Sequence, residues 1–130
     1  MIAVDASAVL AILFREPDAG ELEDHLLQAG GGAMSAVNQW EVLVRAGAEF
    51  GDAGRDAAEA LLDRLGVDVV AATAEDARVA ARAFERFGKR SGGRLNLGDC
   101  FAYALAMKLG DGLLFKGQDF PMTDVKSVGG

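Results

Sequence analysis

The chain has 130 residues, 51% hydrophobic and 25% charged, with a formal net charge of −7. That composition suits one globular domain spanning residues 1–130, with a real core and no room for a second. It excludes extended disorder, and no apolar run approaches the roughly 20 residues of a membrane helix.

The opening Met1–Asp5 reaches an acid too soon for a secretory signal, and the single cysteine, Cys100, allows neither an internal disulfide nor a cysteine-rich zinc site. A reducing cytoplasm is therefore the expected location. The charge is uneven. Residues 1–77 carry 4 Lys/Arg against 15 Asp/Glu (−11), and residues 78–130 carry 9 against 5 (+4). A local basic surface on an acidic protein is still able to attract phosphate.

In chain order, Ile2–Asp5 reads as a short buried strand and Ser7–Phe14 as a helix without a polar face. Glu16-Pro17 opens a second helix, with proline where its missing N–H is not needed and with Asp18, Glu21, Glu23 and Asp24 near the positive helix end. Leu22 and Leu26 share a face, and Gly30-Gly31-Gly32 ends that helix. Ala33–Ser35 is a candidate strand, followed by a helix over Ala36–Glu49 and another over Arg55–Leu65 that Gly66 terminates. Val67–Val70 is a β-branched strand. Thr73 and Asp76 form a capping pair for a helix to about Arg86. Ser91-Gly92-Gly93 is a break, Asn96 caps the next helix, and Gly110 ends it. Gly112–Phe115 is the last buried strand, with Val125–Val128 as a short edge strand. Strands alternating with helices predict an α/β layer structure on a mostly parallel sheet, with ligands beyond the carboxyl ends of the strands.

Four acids stand singly at the edges of these elements. Asp5 follows the first strand, Glu41 lies in an apolar helical stretch, Asp99 sits in the first turn of a buried helix, and Asp119 follows the last strand. Converging carboxylates repel one another and are costly to desolvate, whereas a divalent cation between them offsets both effects. Each also has a plainer explanation. Asp5 is a helix cap, Glu41 an i,i+4 ion-pair partner of Arg45, Asp99 a dipole-compensating acid, and Asp119 a turn acid. Ser7, two residues after Asp5, is placed to hydrogen-bond a carboxylate or a bound water. Cys100 reads as a small buried hydrophobe, Trp40 as core or interface packing, and His25 as a solvated residue among acids. Arg78, Arg82, Arg86 and Arg90 recur every four residues with Lys89 and Arg94 close by. If the helix continues, they form a stripe toward Asp99, either as a solvated face or as a phosphate-binding surface.

Taken together, the motifs Ile2-Ala3-Val4-Asp5-Ala6-Ser7-Ala8, Met34-Ser35-Ala36 with Glu41-Val42, Leu95-Asn96-Leu97-Gly98-Asp99-Cys100-Phe101-Ala102-Tyr103 and Leu113–Phe120 with Thr123-Asp124 resemble the PIN-domain family. Within it they resemble the VapC-type ribonuclease toxins of type II toxin–antitoxin systems. The resemblance covers essentially the whole chain in the expected order. It implies a three-layer α/β/α fold and a Mg²⁺- or Mn²⁺-dependent endoribonuclease, with Asp5, Glu41 and Asp99 at the metal-binding acidic positions. The usual position of the fourth acid holds Gly117, so that place falls to Asp119, displaced by two, to Asp124, or to neither. The resemblance further implies an RNA substrate, a VapB-type antitoxin and a homodimer, for which Val37, Trp40 and Leu43 are candidate surface residues. Arg82, Arg86, Lys89, Arg90, Arg94 and Lys116 are the candidate RNA contacts.

Three other readings compete. A receiver-like phospho-acceptor domain also needs an acidic Mg²⁺ pocket and a lysine after its last strand, which Lys116 supplies. It also needs adjacent acids after the first strand and an acceptor Asp after the third, and both are missing here. A non-catalytic PIN-like binding module is the second rival. A haloacid-type phosphatase is the third, opposed by Ser7 where its second Asp belongs.

Overall fold

Four short strands and five helices alternate through residues 1–129, which the computed structural model describes. Strands β1 (Ile2–Val4), β2 (Gly32–Ser35), β3 (Val67–Val70) and β4 (Leu113–Leu114) form one sheet in the order β3-β2-β1-β4. Every pairing is parallel, a stricter arrangement than the mostly parallel sheet expected. Val125–Val128, expected as an edge strand, contributes a single bridge from Ser127 to Leu113.

Because successive strand side chains point to opposite faces, each short strand serves two layers. Ile2, Val4, Met34, Val67 and Leu114 pack into one core with helices α1 (Ala6–Leu13), α2 (Ala19–Ala29) and α3 (Ala36–Leu65). Ala3, Ala33 and Leu113 pack into the other with α4 (Ala74–Phe87) and α5 (Leu97–Leu109). The result is the expected three-layer α/β/α arrangement. Small residues line the second interface: Ala102, Ala104 and Ala106 of α5 are buried in the same cluster as Ala3 and Ala33.

Helix boundaries follow local chemistry. Helix α2 begins at Ala19 with Asp18 as its N-cap residue, later than the Glu16-Pro17 start read from the sequence. The stretch Ala36–Leu65 bends sharply at Gly51, whose φ of 64° and ψ of −149° are non-helical. The two helices expected there are thus joined at a bend and not through a loop. Thr73 and Asp76 form a reciprocal capping box on α4, and Asn96 and Asp99 form another on α5. Helix α4 stops at Phe87, and a 3₁₀ turn over Lys89–Ser91 follows. The basic stripe is therefore broken before Arg90 instead of running on one continuous helix. Gly31 and Gly66 allow the chain ends around β2 and β3 to meet: Gly31 has a φ of 101°, and a Cβ there would lie 2.3 Å from the Gly66 carbonyl oxygen.

Candidate functional site

The carboxyl ends of β1 and β4 and the N-terminal turns of α1 and α5 meet at one rim of the sheet. Asp5 leaves β1 in an extended conformation and caps α1, its Oδ2 accepting from the Ser7 backbone N–H at 3.0 Å. Its own N–H donates to the Leu114 carbonyl at 2.9 Å, and the Ser7 hydroxyl accepts from the Lys116 N–H at 3.0 Å. These bonds stitch the start of α1 to the end of β4. Asp99 is the third residue of α5; its Oδ2 accepts from the Asn96 N–H at 3.1 Å while its own N–H donates to Asn96 Oδ1 at 2.9 Å. Asp119 stands on the loop after β4, beside the fully buried Phe120, whose ring packs 5.0 Å from that of Phe115. Glu41 reaches the same rim from α3.

Asp5, Ser7, Glu41, Asp99 and Asp119 line one cleft of about 390 Å³, together with Leu10, Trp40, Val44, Arg45 and Asn96. Four acids from four separate stretches therefore share one cavity. Asp124 lies outside it, accepting from the Tyr103 hydroxyl and facing the Arg86 guanidinium at 3.7 Å. Of the two candidates for the fourth acid, only Asp119 is in the cleft.

Burial pushes the Asp5 carboxyl up to about 6, against the hydrogen bonds from Ser7 and with some help from the charge of Glu41. Burial also pushes Asp99 up to about 7; hydrogen bonding from Asn96 opposes this, and the charges of Asp5 and Asp119 add to it. Acids held in this state take up protons or a cation near neutral pH. The donor set is all oxygen, which suits a hard divalent ion. Among the described residues, no three acidic, histidine or cysteine side chains stand close enough together to hold a metal ion as they are placed. Burial raises the Cys100 thiol to about 11, consistent with its reading as an inert buried hydrophobe.

Several local expectations are replaced by longer-range contacts. Glu41 is not paired with Arg45: its Oε1 accepts from Asn38 Nδ2 at 2.8 Å, and the Arg45 guanidinium sits 5.9 Å from the centre of the Phe14 ring. Trp40 is 63% exposed and so is not core packing, whereas Leu43 is partly buried and packs against the core. Lys116 is paired with Glu16 and Asp18 at 3.1 and 3.2 Å. Arg86 lies over the Phe87 ring at 4.6 Å. None of Arg82, Arg86, Lys89, Arg90, Arg94 or Lys116 lines the cleft; Arg45 is the basic residue that does.

The sequence reading missed Asn38, whose side-chain amide donates to Glu41 Oε1 and to the Gly98 carbonyl. The signal was available. Asn38, Val42 and Ala46 recur at i, i+4 and i+8 and all are fully buried, so an amide stands on an otherwise apolar stripe. Arg45 was read only as a local ion-pair partner, because its place on the cleft wall depends on how α3 packs.

The PIN domain family model matches residues 2–126. The chain is 41% identical over 126 residues to Ribonuclease VapC of Mycolicibacterium smegmatis, covering 96% of this chain and 98% of that protein. It is 40% identical over 131 residues to Ribonuclease VapC30 of Mycobacterium tuberculosis, with 96% of each chain covered. It is also 40% identical over 125 residues to Ribonuclease VapC42 of the same organism, with 95% of each covered.

Proposed function

The chain belongs to the PIN-domain family and, within it, to the VapC ribonucleases, and from that premise we propose that it is the toxin of a type II toxin–antitoxin pair. Its proposed activity is Mg²⁺- or Mn²⁺-dependent endoribonucleolytic hydrolysis of RNA phosphodiester bonds. The observation that carries this reading is the convergence of Asp5, Glu41, Asp99 and Asp119 on one cleft at the carboxyl ends of parallel strands. Asp5, Glu41 and Asp99 would hold the cation, with Asp119, from the loop after β4, as the fourth acid. When bound there, a divalent ion supplies Lewis-acid stabilisation of the phosphate oxygens and makes a water acidic enough to attack near neutral pH.

The protein's own groups do the rest. Ser7 fixes the Asp5 carboxylate through its backbone N–H, and its hydroxyl anchors the β4 end that leads to the Asp119 loop. Asn96 fixes Asp99 in the first turn of α5. Arg45 on the cleft wall is the basic residue placed to meet a phosphate there; Arg82, Arg86, Lys89, Arg90, Arg94 and Lys116, which do not line the cleft, would act only on more distant parts of an RNA. No histidine base is required, and His25 pairs with Glu21 at 3.9 Å on α2, away from the cleft.

A VapB-type antitoxin would mask the acidic cleft, for which an arginine-bearing segment is the complementary chemistry. Self-association would use the exposed apolar residues Trp40 (63% exposed), Leu97 (70%) and Phe84 (41%), and a monomer by sedimentation at micromolar concentration would count against it. Among the described residues no helix is long and apolar enough to cross a membrane. A receiver-like role is disfavoured because Lys116 bridges Glu16 and Asp18 and does not line the acidic cleft.

The test is incubation of purified, partner-free protein with total RNA, with Mg²⁺ or with EDTA, beside Asp99→Asn. Cleavage restricted to the wild type with Mg²⁺ is the expected result, and sequencing the new ends identifies the substrate. Equal cleavage by a folded Asp5→Asn/Asp99→Asn double variant would sink the assignment.

A further inference from the structure

Asn38 is a fully buried polar side chain that none of the roles above employs. Its amide nitrogen donates to Glu41 Oε1 at 2.8 Å and to the Gly98 carbonyl, sixty residues away, at 3.0 Å. Its Oδ1 is buried without a donor. Both neighbours are acceptors, so the amide can face them only with its NH₂ group, and its oxygen is left unsatisfied as a consequence. Packing alone would be better served here by an apolar residue. A separate observation concerns Gly98. A Cβ at that position would lie 2.2–2.4 Å from the Glu41 carboxylate atoms. The carboxylate thus rests directly against the backbone of the first turn of α5, one residue before Asp99.

We propose that Asn38 and Gly98 form a clasp that fixes the Glu41 carboxylate relative to Asp99, with Asn38 as a positioning residue for cation binding. The inference rests on the metal-dependent reading above. A neutral donor suits this task, because it orients the carboxylate without cancelling the charge that a cation needs. An arginine or lysine in its place would be a resident counterion. Glu41 is only half-buried and has three rotatable side-chain bonds, so without the clasp it must be ordered anew when the cation binds. Residues that orient a ligand in this way typically alter metal affinity by about 10- to 100-fold.

The test is Mn²⁺ binding to the purified, partner-free protein, followed by calorimetry and by electron paramagnetic resonance. The variants are Asn38→Leu, Gly98→Ala, Glu41→Ala and the Asn38→Leu/Glu41→Ala double, with thermal unfolding of each metal-free protein. Asn38→Leu and Gly98→Ala are each expected to weaken Mn²⁺ binding about 10- to 100-fold. In the Glu41→Ala background, Asn38→Leu should add no more than about twofold, because it acts through Glu41. A purely structural Asn38 predicts instead a lowered melting temperature with Mn²⁺ affinity unmoved. If leucine prevents folding, Asn38→Ser, too short to span the two acceptors, takes its place with the same expectation. Wild-type affinity in a folded Asn38 variant, or equal weakening with and without Glu41, overturns the clasp alone. No Mn²⁺ binding by the wild type overturns the metal reading and the clasp with it.

Discussion

Asp76 and Asp99 are the same device in two places. Each is the third residue of a helix, each closes a capping box with the residue before that helix, and they are 7% and 8% exposed. Their surroundings then diverge. At Asp76, burial alone would raise the carboxyl, but the Lys108 ammonium at 2.5 Å and hydrogen bonds from Thr73 hold it below the usual carboxylate range. Asp99 meets two further acids and no ammonium, and burial lifts it to about 7. A capping box explains why an acid is present but says nothing of its task. The identity of the group facing it does, since a resident cation completes a structural pair, whereas opposing acids leave a cation to be supplied from outside.

The largest expected effect is a crossover in activity. Asp99→Asn should lower metal-dependent RNA cleavage by about a thousandfold or more, because it removes a carboxylate proposed to hold the cation. Asp76→Asn, paired with Lys108 and outside the cleft, should stay within about threefold of wild type. Initial rates on one defined RNA, at saturating Mg²⁺, measure both. Comparable losses in the two variants would erase the distinction between them.

Addition of Mn²⁺ should separate the same pair in the absence of RNA. A ligand that binds only the folded state at a hundred times its dissociation constant stabilises it by about 2.7 kcal/mol. The wild type and Asp76→Asn should therefore both melt several degrees higher with Mn²⁺, and Asp99→Asn should not. Scanning calorimetry at pH 7.5 reads this directly, and an equal shift for Asp99→Asn would place the cation elsewhere.

Both boxes were legible in the sequence, since Thr73-x-x-Asp76 and Asn96-x-x-Asp99 are local patterns. So were the stops at Gly66 and Gly110, both left-handed in the structure, and the strand Val67–Val70. The order of Asp5, Glu41 and Asp99 along the chain was enough to nominate the cleft. What decides between the two boxes was not legible, because Lys108 reaches Asp76 from the far end of α5, a contact that only helix packing creates. The partner of Glu41 was misjudged for a similar reason. An i,i+4 arginine is a reasonable local guess, but an amide three residues earlier donates to the carboxylate, which lies against the bare backbone of Gly98. The break in the basic stripe at Gly88 could have been anticipated from the glycine alone.

A smaller effect is expected on the stability of the metal-free fold. Asp76→Asn loses the ion pair with a half-exposed Lys108, which solvent screens, and weakens a cap. The combined cost should be about 1–2 kcal/mol. Asp5→Asn keeps the capping ability of the side chain, since Asn caps as well as Asp, and removes a carboxylate that burial raises from 3.8 to about 6. It should therefore stabilise the metal-free protein at pH 8, by on the order of 2 kcal/mol. Urea unfolding of the three proteins in EDTA measures these opposite signs.

The pH dependence of those differences is the finest discriminator, because the two kinds of acid must respond in opposite ways. A carboxyl raised in the folded state binds protons that the unfolded chain does not, so its contribution to stability declines as pH rises from about 4 through 6 for Asp5 and 7 for Asp99. The advantage of Asp5→Asn over wild type should consequently vanish as pH falls to about 4, and in saturating Mn²⁺ it should reverse, because the cation then stabilises only the intact site. Asp76 is depressed, so its contribution is fully present above the ordinary value of 3.8 and is lost only as pH falls through its lower folded value. The deficit of Asp76→Asn should hold from pH 8 down to about 4 and disappear below that. An acid raised by burial and an acid held down by Lys108 and Thr73 would then show opposite pH signatures in one protein.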